Sequence, residues 1–375
     1  MQICICRISV EYKKLGDIAT YINGYAFKPE QRGSEGLPII RIQDLTGNAY
    51  DLGYYNGDYP KKIELNDGDV LISWSASLGV YLWNRGKALL NQHIFKVVFD
   101  KVEIDKFYFM YAVEYNLDKM SLKTHGATMK HITKKDFDNV VIPYPDLDYQ
   151  KEISYRLTSL KGIIGKYQEQ LDLLDELIKA RFVEMFGNLR INDKGWKYYK
   201  LDELTELITD GEHATPKRTT QGIYLLSARN VLNHHLSLED VDFIDCDEFD
   251  RISRRIIPRE GDVLISCSGS IGRCCVVPKN IKFQMVRSVA LLRFKSNINP
   301  VFAEYMITSD YLQDQINKSK TASSQANLFQ GKIKSLKGVV PPLELQNQFA
   351  SFVQEIDKSR LLSNHSLFLL KSITF

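Results

Sequence analysis

The chain has 375 residues, of which 44% are hydrophobic and 25% charged, and its formal net charge at pH 7 is +3. This composition excludes a mostly disordered chain, and the length allows two or three domains of about 100–200 residues each. The small net charge alone does not indicate a nucleic-acid partner. Because there is no run of about 18 apolar residues and MQICICRISV is a poor signal peptide, we expect a cytoplasmic protein with no membrane partner.

The cysteines and histidines give no indication of a metal site. The six cysteines contain no C-x-x-C pair, and of the seven histidines only His234 and His235 are adjacent. Half of the cysteines lie in apolar runs. We therefore expect reduced, mostly buried thiols, with neither zinc nor disulfides.

One unusual stretch occurs twice in the chain. GDVLISWSASLG begins at Gly68 and GDVLISCSGSIG begins at Gly261. Before them, KLGDIATYINGY resembles KLDELTELITDG, and after them both copies contain P-x-L-x-x-Q, beginning at Pro145 and Pro341. Three matches in the same order predict a duplicated domain, that is, an internal pseudo-two-fold repeat.

Each copy has the pattern of a strand-rich α/β (α+β) domain. In chain order, LPIIRI, DVLISWSASL, HIFKVVF, IYLLSA and SVALLRF are rich in β-branched and aromatic residues and predict strands. KFYFMYAVEYNLDKM and PVFAEYMITSDYLQDQI predict helices. The segment Met1–Tyr12 matches nothing in the second copy beyond WKYY at Trp196.

Strict alternation in the repeated stretch predicts a strand with one packed face and one hydroxyl-bearing face. The predicted packed faces comprise Val70, Ile72, Trp74, Ala76 and Leu78, and Val263, Ile265, Cys267, Gly269 and Ile271. The predicted hydroxyl faces comprise Ser73, Ser75 and Ser77, and Ser266, Ser268 and Ser270. Such hydroxyls suit phosphate oxygens or base edges, and the alternative is a strand leading to a surface loop with solvated serines.

Basic polar loops occupy equivalent places in the two copies. SLKTHGATMKHITKK lies in the first copy, and SKTASSQANLFQGKIKSLK, without an acidic residue, lies in the second. Matching basic loops in both copies indicate a phosphate-facing surface. Solvated lysines remain the alternative.

A long helix follows each P-x-L-x-x-Q motif. The first has a 3-4 spaced apolar seam, which predicts a helix partner, although packing on its own domain is the alternative. The second helix is shorter, and its heptads are irregular around Ser359–Ser366. The seam residues are Leu157, Leu160, Ile164, Tyr167, Leu171, Leu174 and Ile178 in the first helix, and Phe349, Phe352 and Ile356 in the second.

Catalytic motifs of a DNA-modifying enzyme are not found in the sequence. IPYP at Ile142 and VPPL at Val340 lack the polar first residue of an amino-methyltransferase loop. No G-x-x-x-x-G-K-[ST] or G-x-S-x-G occurs. We therefore expect the chain itself to be non-catalytic.

Two heads with G-D-V-L-I-S-x-S-x-S-x-G, each followed by P-x-L-x-x-Q and a long helix, the first of which ends in LIKARFVEMFG, resemble the specificity subunit of type I restriction-modification enzymes. The resemblance covers essentially the whole chain. It implies two target recognition domains in tandem, each reading half of a bipartite, asymmetric DNA site, separated by two long helices that form an antiparallel coiled coil.

The resemblance also implies the domain limits and partners. Residues 1–147 would form the first target recognition domain, 148–187 the central helix, 188–342 the second domain with a linker at 188–198, and 343–375 the C-terminal helix. The partners would be double-stranded DNA, two methyltransferase subunits, and restriction and translocase subunits. This chain would bind no cofactor, whereas S-adenosylmethionine, ATP and Mg²⁺ would belong to the partner subunits.

The candidate DNA-binding residues come from the hydroxyl faces and the basic loops. In the first copy they are Ser75, Ser77, Lys123, Thr124, His125, Thr128, Lys130 and Lys134. In the second they are Ser268, Ser270, Arg273, Lys318, Lys320, Ser323, Ser324, Gln325, Lys332 and Lys334. Two other functions remain open, a freestanding DNA enzyme and a duplicated coiled-coil interaction protein.

Overall fold

A computed structural model describes residues 10–48, 52–123, 132–318 and 327–374 of the chain. The chain divides into two compact units, Met1–Lys166 with Leu367–Phe375 and Tyr167–Ser366. Each unit contains one globular domain of mixed helix and sheet, as the α/β (α+β) prediction requires. We call residues 1–147 the first head and residues 188–342 the second head.

The first head consists of short strands and helices, followed by one long helix. Its elements are β1 (Glu11–Lys14), α1 (Leu15–Ile18), β2 (Thr20–Asn23), β3 (Leu37–Ile40), α2 (Ile42–Thr46), β4 (Gly53–Tyr55), β5 (Glu64–Leu65), β6 (Val70–Ser73), β7 (Gly79–Leu82), β8 (Ala88–Leu90), β9 (Ile94–Val98), α3 (Lys106–Lys123), α4 (Lys134–Asp138) and β10 (Val141–Tyr144). The long helix is α5 (Leu147–Phe186). Short 3-10 helices lie at Pro29–Gln31 and Lys61–Ile63.

The second head repeats this order with additions. Its elements are β11 (Tyr198–Lys200), α6 (Leu201–Leu204), β12 (Thr205–Asp210), β13 (Ile223–Leu226), β14 (Val231–Leu232), β15 (His235–Leu236), β16 (Asp242–Ile244), α7 (Cys246–Ser253), β17 (Val263–Ser266), β18 (Cys274–Val276), β19 (Phe283–Met285), β20 (Val289–Phe294), α8 (Pro300–Thr308), α9 (Asp310–Lys318), α10 (Gln330–Ser335) and β21 (Lys337–Val339). Helix α11 (Leu343–Thr374) follows, and a 3-10 helix lies at Ala228–Asn230.

Strand order confirms the duplication. The first head contains a four-stranded sheet of order β2-β9-β6-β7, and the second contains one of order β12-β20-β17-β18. Both heads also have a parallel pair, β3 with β8 and β13 with β19, flanked by an antiparallel strand. The repeated sequence therefore specifies the same topology twice.

The first and last strands of each head pair with each other. Strand β1 is antiparallel to β10, and β11 is antiparallel to β21. Tyr12 therefore lies in the strand that corresponds to β11, which contains Tyr198 and Tyr199 of WKYY, the one counterpart that the sequence offered for this segment. Because the first and last strands of each head pair with each other, each head is closed as a separate domain.

The repeated strands are buried on both faces. In β6, Val70 and Ile72 pack in one hydrophobic cluster while Leu71, between them, packs in another. In β17, Val263 and Ile265 likewise lie in a different cluster from Leu264. Burial on both faces explains why the motif reads V-L-I without a polar residue.

The glutamine of each P-x-L-x-x-Q motif connects the head to its long helix. Gln150 is 1% exposed; its amide donates to the Pro145 carbonyl at 2.8 Å and accepts from the backbone N–H of Asp105 at 2.9 Å. Gln346 is 0% exposed and makes the same bonds to Pro341 and to Asn299, both at 2.8 Å. The motif is therefore structural, because both ends of a buried amide are satisfied by backbone.

Candidate nucleic-acid interface

The repeated stretch ends in a turn that is closed by a buried serine. Ser73 and Ser266 are both 0% exposed, so they do not present hydroxyls to solvent. Ser73 Oγ donates to the carbonyl of Ser77 at 2.5 Å, and Ser266 Oγ donates to that of Ser270 at 2.6 Å. We call residues 73–79 and 266–272 the motif turns.

This geometry corrects the prediction of a long alternating strand. Strands β6 and β17 end at the buried serines, and the next residues turn instead of continuing the pleat. The turn requires a left-handed residue at the same position in both copies, Ala76 with φ 59° and Gly269 with φ 67°. Ala76 and Gly269 are accordingly exposed, not packed as predicted.

The other serines of the motif do lie at the surface. Ser75 and Ser268 are half-buried, and Ser77 and Ser270 are exposed. Arg273, just beyond the second motif turn, is half-buried, and its backbone N–H donates to Ser266 Oγ at 3.0 Å. Four of the predicted hydroxyls are therefore near solvent, on a loop and not along a strand.

Described residues within the two basic loops are anchored to the motif turns. In the first head, the N–H of Ile132 donates to the carbonyl of Trp74 at 3.1 Å. In the second, the N–H of Leu328 donates to the carbonyl of Cys267 at 2.9 Å, and Asn327 forms a β-bridge with Ser268. Each head thus brings its motif turn and the end of its basic segment to one place.

The lysines of these segments differ in their partners. Lys134 is exposed and pairs with Asp138 at 2.6 Å, whereas Lys334 is half-buried and lies 3.5 Å from Asp202. Lys318 and Lys332 are exposed. The predicted Thr124, His125, Thr128, Lys130, Lys320, Ser323, Ser324 and Gln325, and the side chain of Lys123, lie outside the described residues.

A cleft of about 680 Å³ opens beside the second motif turn. Its lining includes residues that are not among the predicted DNA-binding candidates. These are Asp210, His213, Arg287, Ser288, Ala290, Asn327, Leu328, Phe329 and Gln330, together with the motif residues Cys267, Ser268 and Gly269. Phe329, an aromatic residue within a polar run, is a sequence signal that could have indicated the cleft, and the structure places it at the surface, 60% exposed.

The acidic group of this cleft, Asp210, is paired with Arg255 and contacts His213. Asp210 accepts a hydrogen bond from Arg255 at 2.7 Å and lies 2.8 Å from His213 Nε2. Burial raises the pKa of Asp210, but the bonds from Arg255 and His213 outweigh it, so the net pKa is below the ordinary value. Arg287 is exposed, and within the described parts of the chain its guanidinium has no ion-pair partner.

The predicted seam is the buried side of α5. Leu157, Leu160, Ile164, Tyr167, Leu171 and Leu174 are half-buried and Ile178 is buried. In α11, Phe349 is buried and Phe352 and Ile356 are half-buried. The burial period continues beyond them through Arg360, Ser363 and Leu367, so the interval that looked irregular in sequence is a regular seam with polar residues in it.

Within the second unit, the two long helices contact each other in antiparallel order. Near the C-terminal end of α5, Phe182 and Phe186 pack on Phe349, with ring centroids 5.3 and 5.5 Å apart. Two to three turns earlier in α5, Asp175 accepts a hydrogen bond from Arg360, which is later in α11. An earlier residue of α5 therefore contacts a later residue of α11, so the two helices run in opposite directions.

The cysteines are placed as predicted where the structure describes them. Cys267, Cys274 and Cys275 are buried free thiols, and Cys246 is an exposed one. Burial raises the pKa of the Cys267 thiol to about 12. Among the residues with described positions, no group of three His, Cys, Asp or Glu side chains could hold a metal, and no helix is long and apolar enough to cross a membrane.

Comparisons with known proteins agree on one family. The model of the type I restriction modification DNA specificity domain matches residues 8–173 and again 193–367. The type I restriction enzyme EcoBI specificity subunit of Escherichia coli is 25% identical over 93% of this chain and 78% of its own length. The MjaVIII specificity subunit of Methanocaldococcus jannaschii is 23% identical over 92% of this chain and 86% of its own.

Solved structures agree on the fold. The S subunit of a type I restriction-modification system from M. genitalium has a TM-score of 0.58 and 14% identity, over 100% of this chain and 96% of that one. A chain from a structure of type I R-M complex assembly has a TM-score of 0.55 and 16% identity, over 97% of this chain and 95% of that one. At such identities the likeness concerns architecture alone.

Proposed function

Because this chain belongs to the family of type I restriction-modification specificity subunits, which contain DNA-recognition domains, we propose that its two heads read the two halves of one bipartite, asymmetric DNA site. In this proposal the chain selects the sequence and catalyses nothing itself. Methylation and cleavage are then the work of partner subunits, in the cytoplasm where the DNA is.

One observation supports this proposal above the others. The chain contains two complete copies of the same domain, each with its own motif turn and a basic segment anchored to that turn. Hydroxyls and cations on loops suit phosphates and base edges, and two copies suit two half-sites. Because the motif turns are nearly identical, sequence choice would lie in the segments where the copies differ, KTHGATMKH and KTASSQANLF.

We assign the spacing of the half-sites to the long helices. Helix α5 has 40 residues, which at about 1.5 Å per residue is about 60 Å. One turn of duplex is about 34–36 Å. A helix of this length would let the heads reach successive major grooves, with an unread gap between the half-sites.

We further propose that the same helices dock two methyltransferase subunits. In the second unit, Leu173 and Leu177 of α5 and Leu361 and Leu362 of α11 are 56%, 46%, 70% and 73% exposed. Apolar side chains so exposed, on helices that already contact each other, suit a partner that covers them. The methyltransferase subunits would bind S-adenosylmethionine and methylate adenine N6, and restriction and translocase subunits would use ATP and Mg²⁺.

The test is to co-express the chain with its methyltransferase partner and map N6-methyladenine by long-read sequencing. We expect one bipartite motif, absent when this chain is omitted. Methylation without a bipartite motif would contradict the proposal. Binding of S-adenosylmethionine by the isolated chain would favour a freestanding enzyme, and the absence of salt-dependent DNA binding would favour an interaction protein with no nucleic-acid role.

A further inference from the structure

The cleft in the second head exists because two large side chains of the first head are replaced by small ones. Cys267 occupies the position of Trp74, immediately after the buried serine of the motif turn. Ala290 occupies the position of Phe95, since each pairs with the isoleucine of the repeated strand. In the first head the two rings stack there, with centroids 5.5 Å apart.

The shape of the cleft does not suit an intact base pair. Base edges in duplex DNA lie at the bottom of a groove, where protruding side chains reach them. A recess receives a group that has left the stack. Its volume of about 680 Å³ is within the range of about 300–1,000 Å³ typical of ligand sites and is large enough for one nucleotide.

The lining offers each kind of contact that a nucleotide needs. Arg287 is an exposed cation suited to a phosphate, and Phe329 is an exposed ring suited to stacking. Asn327 and Ser268 supply amide and hydroxyl groups for a base edge. Asp210, the one carboxylate among the described residues of the lining, accepts a hydrogen bond from Arg255 and so would repel a phosphate only weakly.

We propose that this cleft binds one unpaired nucleotide of DNA, with its phosphate at Arg287 and its base against Phe329. The inference rests on the DNA-reading function proposed above and adds to it a ligand, a location and an asymmetry. The first head reads intact duplex only, because Trp74 and Phe95 fill the matching position. The second head holds a nucleotide displaced from the helix.

The test compares two random-sequence duplexes, one intact and one with a single-nucleotide bulge, by fluorescence anisotropy with the full chain. We expect the bulged duplex to bind about tenfold more tightly, as stacking of one base on an aromatic ring allows. Ala290→Phe installs the residue of the first head and should remove this preference. Arg287→Ala, which changes an exposed side chain, should reduce it.

A matched control changes the first head. Glu30→Gln, which changes an exposed side chain of that head, should leave the preference for the bulge unchanged, since the first head contributes nothing to it. Equal binding of both duplexes by the wild type, or a preference that survives both Ala290→Phe and Arg287→Ala, would overturn the cleft assignment while leaving the DNA-reading function intact. Failure to bind either duplex in a salt-dependent way would instead contradict the proposed function itself.

Discussion

The side-chain amide of Gln346 donates to the carbonyl of Pro341 at 2.8 Å while its oxygen accepts the backbone N–H that begins the turn into α8. Gln346→Leu should therefore leave a buried carbonyl and a buried N–H unpaired. We expect the second head to lose about 2–4 kcal/mol of unfolding free energy, measured by urea denaturation. Gln348→Leu is the control, because Gln348 is exposed on the same helix, and an equal loss there would refute the role of the buried amide.

The motif turn gives a second prediction. Ser266→Ala removes the bond to the Ser270 carbonyl and the acceptor for the N–H of Arg273. We expect a loss of about 1–3 kcal/mol and weaker DNA binding, because the turn that positions Ser268 is no longer closed. Ser270→Ala should leave stability unchanged, since that side chain is exposed. Thermal unfolding measures the stability of both variants, and fluorescence anisotropy measures their DNA binding. Equal stability of Ser266→Ala and Ser270→Ala would contradict the role of the buried serine.

The polar seam position of α11 gives a third prediction. Arg360 has 22% of its side chain exposed, and its partners Asp175 and Asp357 are about half exposed, so the ion pairs are worth about 0–1 kcal/mol. Arg360→Leu should keep or raise the melting temperature by filling an apolar seam, whereas Arg360→Ala should lower it. If the leucine variant melts as early as the alanine variant, then the ion pairs stabilise the helix pair more than burial does. Lys358→Ala, on the exposed side, is the control.

Glu248 gives a prediction about pH. Hydrogen bonds from Arg251 at 2.8 and 2.9 Å lower the pKa of Glu248 to about 2 in the folded chain, against an ordinary 4.5. Between these values the unfolded chain binds more protons, so the stability from this pair is present above about pH 4.5 and is lost as the pH falls toward 2. The protection factors of the amides in α7, which are corrected for the intrinsic pH dependence of hydrogen exchange, should fall with acid in the wild type.

In Glu248→Gln the same protection factors should be lower at pH 7 and change little with acid. The difference between the two proteins should therefore shrink as the pH falls. Glu260→Gln is the matched control, because Glu260 is exposed and its partner Lys279 is 3.4 Å away. A gap between Glu248→Gln and the wild type that stays constant down to pH 3 would contradict the assignment.

The length of α5 gives the fifth prediction. Deleting four residues near Tyr167 shortens the helix by about 6 Å and rotates its C-terminal part by about 40° relative to its N-terminal part. The recognised gap should shrink by one or two base pairs, or methylation should be lost, and a methylome of co-expressing cells measures this. Unchanged spacing would show that the helix does not set the gap. As a control, Glu169→Gln changes an exposed side chain of the same helix without shortening it and should leave the spacing of the half-sites unchanged.

Much of the architecture follows from sequence because it depends on repetition and period. The long helices, the strands at IYLLSA and SVALLRF, and the duplicated topology were all predicted from such patterns and are confirmed. The motif turns were not predicted, because an alternating pattern of apolar and polar residues does not reveal that Ala76 and Gly269 adopt positive φ. Ser73 and Ser266 consequently close turns that were predicted to continue as strands.

Two other features depend on side-chain volume and pairing, which a hydrophobic pattern does not record. Arg360 and Ser363 interrupt the apolar heptads of α11, yet they hold seam positions because Arg360 finds an acidic partner on α5. The cleft arises where Trp74 and Phe95 are replaced by Cys267 and Ala290, positions that align well between the two copies. The two heads therefore differ in this cleft because of the size of the replaced side chains, although both contain the same motif.

The pairing of β1 with β10 has a consequence for synthesis on the ribosome. Glu11 is synthesised long before its partner Tyr144, so the β1–β10 pair of the first head cannot form until nearly all residues of that head have been made. The second head repeats this delay, since Tyr198 pairs with Val339. Domains generally fold as units, with the N-terminal one first. Translation order thus favours completion of the first head before the strands of the second are available, which reduces competition between the two similar sequences.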